Sequence, residues 1–174
     1  MNKKFLRAIL SVAFLLLCAP PSAAYADNTI RCEVINGDTL VVSGTGEMRS
    51  IGDFIETIGK SRIKKLVVGE GITKISVTKA PARATQAYLL PHLEKIILPD
   101  SLVEIGDDAF ANNYHLMEVT FGENLKKVGK YAFAGCDNLW QAVLPDTVTE
   151  IGLGAFSCNR LKKNRAPGIF KQLG

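Results

Sequence analysis

The chain has 174 residues, with 21 Lys and Arg against 17 Asp and Glu, two His and four Cys. Three of the bases, Lys3, Lys4 and Arg7, open the chain, so the 148 residues from Asp27 onward carry 18 basic against 17 acidic side chains, a net +1. That balance gives no electrostatic reason to expect nucleic acid or an acidic membrane surface as partner, and the length suits one domain.

Residues 1–26 have the form of a secretory leader. The three bases precede an almost wholly apolar run over 8–17, and Ala24-Tyr25-Ala26 has the small-x-small pattern of a signal-peptidase site. A run of about ten residues is too short for a bilayer core that needs roughly 20. The expectation is therefore export after cleavage behind Ala26, to the exterior, the cell surface or the periplasm, without stable membrane insertion. Lipidation at Cys18 is the less favoured alternative, because Leu17 before it is not small.

Residues 27–62 are expected to form an N-terminal cap, a strand followed by a short helix. Within it, Ser43-Gly44-Thr45-Gly46 has some look of a phosphate loop. It lacks a third glycine at the right spacing, and Met48-Arg49 follows it instead of a lysine and a hydroxyl residue, so a strand leading into a turn is the better reading.

Residues 63–174 are dominated by one period. The strings LEKIILPD from Leu93, LMEVTFGE from Leu116 and LWQAVLPD from Leu139 each start 23 residues after the last. Ile105, Val128 and Ile151 keep the spacing, as do Gly106, Gly129 and Gly152; Ala109, Ala132 and Ala155; and Phe110, Phe133 and Phe156. A degenerate copy at 63–75 aligns without a gap and precedes Leu93 by 30 residues, which places an insertion at 76–92. It reads as a loop or a short helix; its alanines favour the helix and Pro81 limits where one starts. A frayed copy begins at Leu161, one residue early, and runs into Ala166-Pro167-Gly168.

Self-similarity at this period with leucines in register belongs to leucine-rich repeats. Within a unit, alternation over 93–98 predicts a short strand with Ile96 and Leu98 inward and Lys95 and Ile97 outward. Pro99 and Pro145 end it. A second extended stretch points Leu102 and Ile105 at the core, Gly106 permits a bend, and 107–110 reads as one helical or 3₁₀ turn with Phe110 as a plug. Asp107 and Asp108 suit the start of such a turn. The phenylalanines should stack as an aromatic spine, since no unit can bury its apolar face alone.

The string Leu-x-x-Ile-x-Leu-Pro-Asp-x-Val-x-x-Ile-Gly-x-x-Ala-Phe-x-x-Cys, carried over about residues 63–163, resembles the BspA-like, treponemal-type leucine-rich repeat of bacterial surface proteins. Residues 36–48 resemble the strand that commonly precedes those repeats, while Asn113 stands where the pattern has Cys. The resemblance implies an α/β, strand-rich, short right-handed solenoid with one strand per repeat on its concave face. It also implies an extracellular protein acting through binding or adhesion, with a protein or glycan partner such as a host surface or matrix component.

The outward strand positions are the candidate binding residues: Lys65 and Val67, Lys95 and Ile97, Glu118 and Thr120, Gln141 and Val143, with Trp140, the only tryptophan, beside them. An aromatic anchor next to an apolar column suits a protein-binding surface, although β-branched residues also simply suit strands. No catalytic constellation is present: no nucleophile elbow accompanies the two histidines, and His115 falls at a variable, exposed position. No enzyme activity, metal or cofactor is expected. Cys136 and Cys158 read as inward, buried free thiols, with a disulfide between them as the alternative, while Cys32 is unassigned. Arg160, Lys162, Lys163, Arg165 and Lys171 read as a solvated terminal cap. A structural or self-assembling surface module is the alternative function.

Overall fold

The computed structural model describes residues 30–49, 62–76 and 90–161. The leader, the helix expected before residue 62, most of the insertion and the basic C-terminal end lie outside them. The described chain winds as a strand-rich β-solenoid whose last three coils, 93–115, 116–138 and 139–161, follow one another without interruption.

Each coil supplies one strand to each of two sheets. The six-stranded sheet runs β1 (Arg31–Ile35), β2 (Thr39–Ser43), β4 (Lys65–Val68), β6 (Lys95–Ile97), β8 (Glu118–Thr120) and β10 (Gln141–Val143). The five-stranded sheet runs β3 (Gly46–Met48), β5 (Ile72–Ile75), β7 (Glu104–Ile105), β9 (Lys127–Val128) and β11 (Glu150–Ile151). All neighbours are parallel except β1, which lies antiparallel on β2.

Residues 39–48 extend both sheets as a level of their own. Leu40 stands beside Leu66 and Val42 beside Val68, and both upper side chains are fully buried. They continue the inward columns that Ile96 and Leu98 occupy one level on. In the second sheet Ile75, Ile105 and Val128 form the matching column, each at most 2% exposed. Burying one such side chain is worth about 1.5–3 kcal/mol, available only when the next coil covers it.

The third side of the coil is where the structure departs from the expectation of a helical or 3₁₀ turn. No helix occurs among the described residues. Two columns of left-handed residues prevent one: Asp108, Tyr131 and Gly154 at φ 56°, 54° and 64°, and Asn112, Gly135 and Cys158 at φ 60°, 67° and 57°. A left-handed residue every fourth position breaks the i to i−4 pattern. It also turns alternate N–H groups toward the neighbouring coil. Asp108, Phe110 and Asn112 donate to the carbonyls of Lys130, Ala132 and Ala134 at 2.9, 2.8 and 2.7 Å, and Tyr131, Phe133 and Gly135 repeat the pattern on Leu153, Ala155 and Ser157. This side is thus a third hydrogen-bonded ladder.

Asp107 likewise does not cap a helix: its Oδ1 accepts the Lys130 amide of the next coil at 2.7 Å. Inside this side the phenylalanines stack as expected. The Phe110–Phe133 and Phe133–Phe156 ring centroids are each 5.3 Å apart, at 21° and 5°, with Phe121 edge-on to Phe133.

The glycine column is not there to permit a bend. Gly106, Gly129 and Gly152 all lie outside the left-handed region. A Cβ at Gly129 would stand 2.5 Å from Asp107 N and from Gly106 C, and one at Gly152 would meet the Lys130 amide. The column is bare so that successive backbones can touch.

The cysteine reading is also corrected. Cys136 is fully buried, its Sγ–H donating to the Phe110 carbonyl at 3.3 Å, but Cys158 is exposed and both thiols are free. The inward column is Asn113, Cys136 and Asn159. Asn113 Nδ2 donates to Phe110 O at 2.8 Å, and Asn159 Nδ2 to Phe133 O at 3.0 Å. The last coil is therefore not short as far as Asn159, and Cys158 falls in a left-handed column facing away from the core.

Candidate binding face

The outer face of the six-stranded sheet is set by strand register. Lys65, Lys95, Glu118 and Gln141 fall in one row across the strands, extended by Thr39. Val67, Ile97, Thr120 and Val143 fall in a second, extended by Val41. The eight predicted strand residues thus fall in two rows of one sheet, while Trp140 lies just ahead of β10. Pleating puts Leu66, Ile96 and Val119 between the rows on the core side.

Exposure along the second row is graded. Val67 is only 8% exposed, contrary to its expected place on an open surface, although it is not part of the core cluster. Ile97 is half-buried, Thr120 is exposed, and Val143 is 58% exposed. Trp140, just ahead of β10, is 49% exposed. Its amide donates at 3.2 Å to the carbonyl of Met117, which holds the same position one coil earlier and is 39% exposed. Met117 was not singled out from the sequence; its spacing of 23 residues before Trp140 is the signal that places it there.

Charge is graded the opposite way. Lys64 and Glu94 pair at 3.1 Å, and Lys95 and Glu118 at 2.7 Å. Beyond Glu118 the described part of the face carries Thr120, Gln141 and Val143, with Met117 and Trp140 exposed just ahead of β8 and β10, and none of these five is ionisable. Partly exposed pairs add little stability each, typically under 1 kcal/mol. Here they neutralise one half of the face and leave the other half apolar and amide-bearing.

The five-stranded sheet presents a different surface. Its outward row alternates Glu47, Lys74, Glu104, Lys127 and Glu150, with Lys74–Glu104 at 3.3 Å and Lys127–Glu150 at 3.0 Å. The hydrogen bond from Ser76, and then that from Arg49, hold the Glu47 carboxyl below its ordinary value, and Glu150 holds Lys127 above its own. Both shifts fix the charge already present near neutral pH. Burial pushes the Cys32 and Cys136 thiols up to about 12, away from the thiolate a nucleophile needs. Among the described residues no three His, Cys, Asp or Glu side chains converge as a metal cage would require, and no helix is long and apolar enough to cross a membrane.

Parallel strands at a fixed period, an inward leucine-type column and a stacked phenylalanine side define a leucine-rich-repeat solenoid. A family model described as a BspA type leucine-rich repeat region in six copies matches residues 85–174. The chain belongs to that family.

Among solved structures it resembles the leucine-rich repeat protein of T. pallidum, at 21% identity and TM-score 0.54, over 80% of this chain and 69% of that one. It also resembles leucine-rich repeat proteins of Eubacterium ventriosum (25% identity, TM-score 0.56, 78% of this chain) and Bacteroides ovatus (20%, 0.53, 80%). The chain spans 41% and 40% of the length of those two. No curated protein matches it.

Proposed function

We propose that the protein is an exported, non-catalytic binding module that captures a protein or glycan partner on the outer face of its six-stranded sheet. The observation that carries this reading is the concentration of Met117, Trp140 and Val143, all well exposed, on the uncharged half of that face. A large amphipathic ring, an apolar neighbour and the Gln141 amide together offer stacking, burial and hydrogen bonding at one spot. Membership of a leucine-rich-repeat family and the leader-like first 26 residues agree with a role outside the cytoplasm.

The residues toward β4, Lys65, Val67 and Lys95, are reassigned to the margin of the site, since Val67 is covered and Lys95 is ion-paired. The test is binding to glycan arrays and to fractionated surface proteins by the parent and by a Met117→Ser, Trp140→Ser, Val143→Thr variant. Loss of captured partners with an unchanged circular dichroism spectrum supports the face; equal capture by both proteins overturns it.

A second reading, self-assembly, is favoured by one observation: among the described residues nothing pairs with the outer edges of β10 and β11. A strand edge that no part of its own chain covers invites pairing with another chain. Sedimentation velocity over a wide concentration range separates the two, a concentration-independent monomer excluding self-assembly.

A further inference from the structure

The chain contains only two histidines, 23 residues apart, and the solenoid places them side by side. His92 is the third residue of a turn closed by Leu93 N to Leu90 O at 3.0 Å. His115 is the third residue of the equivalent turn one coil later, closed by Leu116 N to Asn113 O at 3.0 Å. Leu93 and Leu116, which follow them, are anchored in the core at 2% and 0% exposure. Both imidazoles are exposed, with ring centroids 5.9 Å apart and planes inclined at 34°.

From these observations we infer that His92 and His115 form a two-imidazole site for a divalent transition cation of the zinc, copper or nickel type, which imidazole ligands suit. With metal–nitrogen bonds of about 2.1 Å, the ring centres of a tetrahedral bis-imidazole site stand about 5.2 Å apart. The observed centroid separation of 5.9 Å is within about 1 Å of that, and rotation of the exposed side chains, a ps–ns motion, is what must turn one nitrogen of each ring toward a common point. The backbone that carries the two rings is held by sheet hydrogen bonds on both coils, Glu94 N to Lys64 O and Met117 N to Glu94 O, at 2.7 and 2.8 Å.

Asn138 takes the third place in the column, its Nδ2 bonded to the Tyr114 carbonyl at 2.7 Å. The site therefore has two protein ligands, and water or a partner group completes it. A bound ion would clamp two adjacent coils at the edge that leads into the six-stranded sheet, so occupancy and stability are linked.

The test is isothermal titration of the full chain, without an affinity tag, with Zn²⁺ alone, in a Cys18→Ser, Cys158→Ser background that removes Cys18 and the thiol exposed among the described residues. Equimolar binding is expected, weakened roughly 100-fold or more in His92→Ala and in His115→Ala, at least the loss that removing a mere supporting group brings to a metal site. Imidazole ¹⁵N spectra report on the parent directly, and both ring signals should move together on adding zinc. Absence of binding, binding that survives either substitution, or zinc-induced shifts at neither ring would overturn the assignment.

Discussion

The phenylalanine column allows a stability prediction that separates three residues the repeat makes equivalent. Phe133 is fully buried, stacked on Phe110 and Phe156, and met edge-on by Phe121, which gives it three ring partners. Phe110 is 4% exposed with Phe133 as ring partner, and Phe156, also stacked on Phe133, is only partly buried. Replacement by Leu keeps most of the apolar volume, so the loss is chiefly the ring pairs, at about 0.5–1.5 kcal/mol each. Phe133→Leu should therefore cost about 2–4 kcal/mol, Phe110→Leu about 1, and Phe156→Leu no more than that. Urea unfolding followed by circular dichroism and by Trp140 fluorescence measures all three. A Phe110→Leu, Phe133→Leu double variant should show a coupling of about 0.5–1.5 kcal/mol, as contacting residues do. Equal costs for Phe133 and Phe156, or additivity in the double variant, would refute the stacked third side.

Three more predictions test the rest of the coil. Gly129→Ala puts a methyl against the Asp107 and Gly106 backbone and should destabilise by about 1–3 kcal/mol in the same urea assay, whereas an effect within about 0.5 kcal/mol would mean the coils are not in contact there. Cys158 holds a left-handed φ of 57° on the surface, so Cys158→Asn should stabilise by about 0.5–1 kcal/mol in differential scanning calorimetry; a destabilisation would count against this turn geometry. With a thiol-reactive dye near pH 8, Cys158 should label first among the described thiols. Cys32 and Cys136, raised from 9.0 to about 12, should lag, with roughly 1,000-fold less thiolate at Cys136 than an ordinary thiol even before its burial is counted. Simultaneous labelling of Cys136 and Cys158 in native protein would return both to one environment.

What the sequence made legible follows from what each side of the coil needs. Inward strand positions and the phenylalanines must be apolar in every coil, so 23-residue spacing exposed them directly. Left-handed positions impose no such uniformity. Asp108, Tyr131 and Gly154 share one backbone conformation with three unrelated side chains, because exposed residues can absorb that cost locally. Without that column the segment reads as helical, and Cys158 reads as inward because cysteine is the expected type one place further on. Residues 39–48 failed to declare themselves as a level for a similar reason: they keep the Leu40 and Val42 alternation but not the glycine and phenylalanine of later coils.

The same logic bears on the binding face. A core column is constrained by the coils above and below it, so its chemistry repeats, and repetition there reports packing. An outer position is constrained only by its partner along the row, through pairs such as Lys95–Glu118. Where that pairing stops, at Met117, Thr120, Trp140, Gln141 and Val143, neither stacking nor charge balance dictates the residue. Large apolar groups exposed to this extent cost solubility and return less to the fold than Phe133 or Leu125 in the interior. The β10 end of the described sheet is thus the place on this surface where the residue types are least explained by folding, which is why the proposed binding site is put there.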